Sequence, residues 1–207
     1  MKRITKSLAL AIACMQMTVC FGCSNSDKSE KKSSSSKSKS IGYDSPDEAI
    51  EAYLNAFIDN DADAVYNTIY SKEVDMFLEI CEEFLNEKHT ESDIISIVKE
   101  ELADCHEGMS NYPIDEWKMN YEFYEDFTDE FLMFDMFDDF DDDFEYREAY
   151  EKMRKEYDKM NLQKVYTYDS VYLINENADF VEELFNDDIA CMQFDDKWYI
   201  SVMNLDL

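Results

Sequence analysis

Glycine and proline are scarce in this chain, which has 3 glycines and 2 prolines among 207 residues. A P-loop or a dinucleotide-binding fingerprint needs several closely spaced glycines, because backbone amides must approach a phosphate directly. Neither pattern occurs, and the Gly-x-Ser-x-Gly turn that presents the nucleophile of many hydrolases is also absent. The sequence therefore excludes these three motifs and the functions that depend on them.

Basic residues are scarce as well. The chain has 19 basic and 49 acidic residues, and from Ile41 onward the numbers are 11 and 47, a formal charge of −36. A surface with this charge repels the phosphates of nucleic acids and anionic lipid headgroups. We therefore expect no nucleic-acid partner, whereas a cationic protein, a cation or a small ligand is compatible with the charge.

Residues that bind metals or act as nucleophiles form no recognisable motif. The 2 histidines are far apart in the sequence, and the cysteines of the domain lack the paired spacing of a zinc site. Cys81, Cys105 and Cys191 fall on apolar faces and are interpreted as core residues; a disulfide between Cys81 and Cys105 is the alternative in an oxidising compartment. The sequence indicates no cofactor, metal ligand or catalytic residue, and it favours a non-enzymatic role.

The first 22 residues have the pattern of a signal peptide. Three basic residues among the first six precede an apolar run from Leu8 to Phe21, which is too short to span a bilayer as a permanent helix. Small Gly22 directly precedes Cys23, and the segment resembles bacterial lipoprotein signals, in which this cysteine becomes diacylated and forms the mature N-terminus. The resemblance implies a signal peptide at 1–22, lipid attachment at Cys23 and residence on the outer face of the bacterial cell membrane.

Two features of this segment leave alternatives open. Cys20 occupies the position three residues upstream of Cys23 at which leucine or valine is usual, and Cys14 and Cys20 are rival acylation sites. Acylation at Cys14 would leave a very short apolar core, and Val19 is too large a residue to precede an acylated Cys20. An ordinary secretory signal or an uncleaved anchor is the other interpretation.

Residues 23–42 form a segment rich in serine and lysine, which contains no apolar residue from Ser24 to Ser40. Such a segment has nothing to bury against the entropy of ordering, so we expect a disordered tether. The scaling of flexible linkers gives it a reach of about 20 Å. A tether of this kind suits a domain that a lipid holds at a membrane.

The remaining residues, 43–207, are enough for one domain, and no internal repeat divides them. The stretch Ser45-Pro46-Asp47-Glu48 is a capping-box sequence with proline at the first helical position. Asp61, Ser71 and Thr90 mark the starts of three further helices, because apolar residues at helical spacing follow each of them. The N-terminal half is therefore predicted to be helical.

Beyond Pro113 the apolar period changes from that of a helix to that of a strand. One strand is predicted around residues 119–123, a second after Leu162, and a C-terminal hairpin from Ile189 to Met203 that turns at Asp195-Asp196-Lys197. An acidic helical insertion separates the first two strands. The prediction is an α+β fold with N-terminal helices packed on a curved antiparallel sheet of about four strands.

The two ends of the domain resemble one family. Ser45-Pro46-Asp47-Glu48-Ala49 leads into Tyr53-Leu54-Asn55-Ala56-Phe57, and the chain closes with Asp196-Lys197-Trp198-Tyr199-Ile200-Ser201. These stretches are similar to extracellular lipoproteins of the nuclear transport factor 2-like superfamily, which has the cystatin-like cone fold, although Asp196 replaces the usual turn glycine. The resemblance implies that helices close one side of a curved sheet around a concave pocket, and it transfers no catalytic motif to this chain.

Aromatic residues on the predicted strands are the candidate ligand-binding residues. Tyr166, Tyr168 and Tyr172 share one face of the second strand, and with Tyr121 and Trp198 they are placed to line a pocket that offers aromatic surface and hydroxyl donors. The alternative is that this face is sheet core covered by helices.

A carboxylate on the second strand gives the enzymatic alternative. Asp169 is the one charged residue on the face that it shares with Val165, Val171 and Leu173. Buried in an apolar cone, such a carboxylate would serve a hydrolase or an isomerase. If Asp169 is instead exposed to solvent, it is an ordinary surface acid.

Acids and aromatics alternate in Phe131–Glu148, FLMFDMFDDFDDDFEYRE. Asp139, Asp141 and Asp143 have the one-three-five spacing of a calcium loop, but the glycine and the bidentate glutamate of that loop are missing. Three interpretations remain for the acidic segment 135–145: low-affinity binding of divalent cations, a flap that docks a basic partner, and a solvated helix face whose phenylalanines pack inward.

These observations predict a lipid-anchored extracytoplasmic domain that acts by binding or scaffolding. Its expected partners are the membrane, through the anchor, and a cationic protein or a small ligand. The alternatives are a small-molecule hydrolase or isomerase and a protein that binds divalent cations weakly.

Overall fold

The computed structural model describes residues 40–85, 88–133, 147–177, 181–183 and 189–204. The expected signal peptide, the acylation site and almost all of the tether lie outside the described residues. The acidic segment 135–145, with its three candidate cation ligands, also lies outside them.

Helices make up the described N-terminal half. They are α1 (Pro46–Ile58), α2 (Ala62–Asn67), α3 (Ser71–Ile80), a π-helical turn (Cys81–Leu85) and α4 (Glu91–Met109). Their apolar faces merge in one core, which includes the fully buried Tyr53, Leu54, Val65, Ile94 and Val98. The predicted helical half is therefore present.

Side-chain caps fix most of these helix starts. The hydroxyl of Ser45 accepts from the Glu48 amide at 3.2 Å, and the carboxylate of Asp61 accepts from the Ala64 amide at 2.9 Å, as predicted. The prediction that Ser71 caps the third helix is wrong, because Tyr70 occupies the cap position without a side-chain hydrogen bond. Ser71 is instead the first residue of α3.

The strands follow in the second half. After a 3₁₀ turn (Ile114–Glu116) come β1 (Lys118–Asp126), α5 (Thr128–Met133), α6 (Arg147–Lys159), β2 (Leu162–Ile174), β3 (Val181–Glu183), β4 (Ile189–Phe194), β5 (Lys197–Ile200) and a last 3₁₀ turn (Val202–Asn204). The sheet is antiparallel in the order β1-β2-β4-β5, and the short β3 pairs with the end of β2. The expected α+β class is confirmed.

A β-bulge at Ser170 changes which side chains of β2 lie on each face of the sheet. Ser170 has a positive φ of 52°, and between Asp169 and Tyr172 the strand has one residue more than the segment of β1 that pairs with it. The side-chain amide of Asn120 donates to the Ser170 carbonyl at 2.9 Å. Because one extra residue reverses the side-chain alternation, Tyr172 lies on the face opposite to Tyr168.

Helices cover both faces of the central strands. On one face the hydroxyl of Tyr168 donates to Asp47 of α1 at 2.6 Å. On the other face the ring of Phe194 stacks on Tyr70 at 4.3 Å and on Tyr157 of α6 at 6.4 Å. This differs from the single covered side that the family resemblance implies, because α6 packs on the second face.

The C-terminal hairpin is present but shorter than predicted. Its turn consists of Asp195 and Asp196 alone, with φ values of 50° and 60°, and two successive positive values are the signature of a type I′ turn. Lys197 already pairs with Phe194 across the hairpin. The strand ends at Ile200 rather than near residue 203, because the backbone then turns inward to a hydrogen-bond partner described below.

Replacing Asp196 with glycine is expected to stabilise the domain. Glycine adopts a positive φ without steric cost and is the preferred second residue of a type I′ turn. We expect the free energy of unfolding to rise by about 1 kcal/mol, measured by thermal or denaturant unfolding. Asp196→Asn is the matched control, because it removes the charge and keeps a side chain that tolerates this conformation less well than glycine. Equal gains in both variants would assign the effect to charge instead.

Candidate functional site

A fully buried carboxylate, Glu73, lies where α3, α6 and the C-terminal turn meet. One of its oxygens accepts from the hydroxyl of Tyr157 at 2.8 Å and from the hydroxyl of Ser201 at 2.7 Å. The other oxygen accepts from the backbone amide of Val202 at 3.0 Å. Three donors from two distant segments therefore converge on one acid.

Burial raises the pKa of Glu73 to about 7, against the opposing effect of hydrogen bonds from Ser201, Val202 and Tyr157. The pKa of Tyr157 is raised well above its usual value by burial and by the adjacent carboxylate, so its hydroxyl stays a donor. Glu73 thus takes up or releases a proton near neutral pH. Its exposed fraction is 0%, so the carboxylate is closed to solvent.

Sequence reasoning missed Glu73, although a signal was present. Glu73, Phe77 and Ile80 are spaced as one helical face, and all three are buried. An acid on an apolar stripe marks a carboxylate that needs internal partners. Its partners are 84, 128 and 129 positions away in the chain, which no local pattern could identify.

Asp169, which the sequence suggested as the buried carboxylate of an enzyme, occupies a different environment. It is half-buried and pairs across the sheet with the exposed Glu122 of the edge strand. The bulge at Ser170 also moves Val171 and Leu173 to the opposite face, so the apolar surroundings expected for Asp169 are not assembled. The buried acid of the described residues is Glu73.

Aromatic rings form a second candidate site on the face of the sheet that α1 covers. We call it the aromatic shelf, and its members are Tyr121, Phe123, Tyr166, Tyr168 and Trp198. The ring centroids follow each other at 5.8 Å (Tyr121 to Tyr168), 5.9 Å (Tyr168 to Phe123), 5.4 Å (Phe123 to Tyr166) and 4.7 Å (Tyr166 to Trp198). The shelf runs from β5 across β2 to β1.

Carboxylates of α1 hold two hydroxyls of the shelf. Tyr168 donates to Asp47 at 2.6 Å, and Tyr121 donates to Glu51 at 2.8 Å. Burial and these carboxylates raise the pKa of both phenols, which therefore remain protonated donors. On the second strand, the ammonium of Lys164 donates to the hydroxyl of Tyr166 at 3.3 Å and lies 5.5 Å from the ring centroid.

The structure brings together four of the five tyrosines and tryptophans that the sequence suggested as pocket lining. Tyr121, Tyr166, Tyr168 and Trp198 lie in the shelf, whereas Tyr172 is half-buried on the opposite face. Within the shelf Tyr168 and Trp198 are buried, and Tyr121 and Tyr166 are half-buried. The residue that sequence reasoning missed is Phe123, which is 54% exposed; its position on an aromatic-rich edge strand was the available signal.

A small cavity lies between α3 and α4. Cys81, His89 and Asp93 line it together with apolar side chains, and its volume of about 20 Å³ is enough for about one water molecule. It is too small for a substrate. Cys81, Cys105 and Cys191 are all buried, and none of them forms a disulfide bond, so the suggested pairing of Cys81 with Cys105 is not made.

The described residues contain neither a cluster of metal ligands nor a helix that could span a membrane. No group of three or more histidine, cysteine, aspartate or glutamate side chains in those residues is arranged to hold a metal ion. Among the helices that the structure describes, none combines the length and the apolar character needed to cross a bilayer.

Comparison of the chain with protein-family models, with curated proteins and with solved structures finds no significant match. The resemblance to the nuclear transport factor 2-like superfamily therefore stays a prediction from the sequence.

The pH dependence of stability should report on Glu73. The native pKa of about 7 exceeds the ordinary value of 4.5, so between these values the native state binds more protons than the unfolded state. The contribution of Glu73 to stability is therefore complete below pH 4.5 and falls as the pH rises to about 7, by roughly 3 kcal/mol. Glu73→Gln should lack this fall, as measured by the difference in unfolding free energy between the two proteins from pH 4.5 to 8.

Tyr157→Phe is the matched control. It keeps the ring and removes one hydrogen bond that lowers the pKa of Glu73, so the pH at which stability stops falling should move upward. A difference between wild type and Glu73→Gln that does not change with pH would contradict the assignment.

Proposed function

We propose that this protein is a lipid-anchored binding domain on the outer face of the bacterial cell membrane, and that the aromatic shelf is its binding surface. The observation that carries the proposal is the exposure of Phe123 on a shelf of packed rings beside two carboxylates. The alternative site, Glu73, is closed to solvent.

The chemistry of the shelf suits recognition rather than catalysis. Asp47 and Glu51 already accept hydrogen bonds from shelf hydroxyls, which fixes both the phenols and the carboxylates in place. Phe123 is supported from one side by Tyr166 and Tyr168, so its other side is available for contact. Preorganised aromatic surface of this kind is typical of binding sites, where an apolar contact needs little ordering.

The membrane location rests on the N-terminal sequence. Gly22-Cys23 after a short apolar run, followed by a serine- and lysine-rich segment, is the arrangement of a lipoprotein signal and tether. Membership of the nuclear transport factor 2-like lipoproteins is part of the same proposal, on the strength of the two terminal motifs.

The anchor can be tested by metabolic labelling with an alkyne analogue of palmitate. In a bacterial host we expect label on the wild-type chain and none on Cys23→Ser, because the thiol that carries the lipid is lost. Cys20→Ser is the control and should keep its label. Label that persists in Cys23→Ser, or that disappears with Cys20→Ser alone, would place the modification elsewhere.

The shelf can be tested by photo-crosslinking in intact cells. A photoreactive phenylalanine analogue at position 123 should give a discrete adduct, because Phe123 would contact the bound ligand. The same analogue at Ile114, which is 45% exposed but outside the shelf, is the control and should give none. Identical patterns from the two positions would remove the shelf from the proposal.

An acid–base enzyme is the second candidate function, and the pKa of Glu73 near 7 is the observation that favours it. Catalysis would require the cluster around Glu73 to open. Labelling with a water-soluble carbodiimide would reveal that opening, since it modifies only accessible carboxylates. Weak cation binding by segment 135–145 is the remaining proposal, and calorimetric titration with calcium would detect it.

A further inference from the structure

We propose that the outer edge of β1, together with the aromatic shelf, is a docking surface for an extended segment of a partner protein that is rich in lysine or arginine. The inference rests on the binding role proposed above and names the class of partner. It follows from three features of this edge: its open backbone, its exposed rings and its charge.

The two outer strands of the sheet differ in how their edges are covered. Trp198 of β5 exchanges backbone hydrogen bonds with Tyr43 at 2.9 and 3.0 Å, and the Ile200 amide donates to the Thr68 carbonyl at 3.0 Å. In the described part of the chain, no strand pairs with the outer edge of β1. An open edge presents the N–H and C=O of every second residue outward, and an extended peptide can pair with them.

Exposed aromatic side chains lie on this same strand. Phe123 is 54% and Tyr124 is 49% exposed, and the register with β2 shifts between Phe123 and Glu125. The ring of Phe123 rests on the edges of Tyr166 and Tyr168 at 5.4 and 5.9 Å. A lysine or arginine stem that lies along the open side of this ring would bury apolar surface and keep its charged end in water.

The charges around the edge select a cationic partner. Glu122, Glu125 and Asp126 lie on β1 itself, and Glu51 of α1 reaches the shelf through Tyr121. The one basic residue of β1, Lys118, forms an ion pair with Glu176 at 2.7 Å. The domain as a whole carries 47 acidic and 11 basic residues, so a second copy of this chain would be repelled while a basic segment would be attracted.

The shelf also displays the contact that a basic partner would make. The ammonium of Lys164 lies 5.5 Å from the centroid of the Tyr166 ring and donates to its hydroxyl at 3.3 Å. The shelf hydroxyl accepts from this ammonium, and a hydrogen bond with a charged donor is stronger than one between neutral groups. A small polyamine could share this contact, but only a peptide can also pair with the backbone of β1, and for that reason we assign the surface to a peptide.

Binding of a simple probe to the full chain, purified in a non-ionic detergent, tests the inference. The probe is a fluorescent decapeptide of alternating lysine and threonine, which is cationic and favours an extended conformation. We expect Phe123→Ser to weaken its binding at least fivefold, because the ring under the lysine stems is lost. Ile114→Ser removes a similarly exposed apolar side chain outside the shelf and should leave the affinity unchanged.

A second pair of variants separates local charge from net charge. Glu51→Gln and Asp158→Asn each remove one negative charge, but Glu51 lies at the shelf and Asp158 lies on α6, which packs on the opposite face of the sheet. We expect at least a threefold loss of affinity for Glu51→Gln and no loss for Asp158→Asn. Glutamine can still accept from Tyr121, so the fold should persist, and thermal unfolding checks this for every variant.

Two further probes test the requirement for a peptide backbone. A lysine–threonine decapeptide methylated at every backbone nitrogen has the same charge but no backbone N–H, and spermine has ammonium groups without a peptide. Both should bind at least fivefold more weakly than the lysine–threonine probe. Equal binding of all three probes, or equal effects of the paired variants, would overturn the docking surface and leave only non-specific attraction of cations.

The outcome can be separated from that of the proposed function. An adduct at Phe123 in cells without binding of the lysine–threonine probe would refute the basic peptide and retain the binding role. Absence of both would refute the two proposals together. If Phe123→Ser unfolds, the comparison of Glu51→Gln with Asp158→Asn still decides the inference.

Discussion

The hydrogen bonds to the buried carboxylate of Glu73 are the interactions on which the arrangement of this domain depends. Burying an ionised acid is costly unless hydrogen bonds replace its water, and here α6 supplies one donor and the C-terminal turn supplies two. The chain leaves β5 after Ile200 because the Val202 amide turns toward this acid. Removing the acid would leave three donors buried together without their acceptor. Because the pKa of Glu73 lies at about 7, the packing of α3, α6 and the C-terminal turn is also sensitive to protonation near neutral pH.

A single extra residue decides the character of the opposite face. The bulge at Ser170 keeps Tyr168 with Tyr121 and Phe123 and moves Tyr172 to the other side. Before the bulge, β2 places the aromatic rings of Tyr166 and Tyr168 on the face that α1 covers. After the bulge, it places the apolar side chains of Val171 and Leu173 in the core. The shelf is a consequence of this break in alternation, and the carboxylates of α1 fix its hydroxyls in position.

Negative charge acts in different ways at the two sites. Glu73 is buried and contributes through its own hydrogen bonds, whereas Asp47 and Glu51 are exposed and add to the field of a strongly anionic surface. Surface charges of this kind contribute little to stability, but they select the sign of a partner and speed its approach. The acid excess of the domain therefore bears on what it binds more than on how it folds.

The sequence by itself determined the helix starts at Ser45, Asp61 and Thr90, the position of the terminal hairpin and the α+β class, because caps, turns and apolar periods are local signals. It also determined most members of the aromatic shelf. Only the tertiary structure decided which acid is buried, which face each tyrosine occupies and that helices cover both faces of the sheet. The physical reason is that burial of Glu73 depends on donors 84, 128 and 129 positions away, and a one-residue bulge leaves no reliable trace in a pattern of alternating residues.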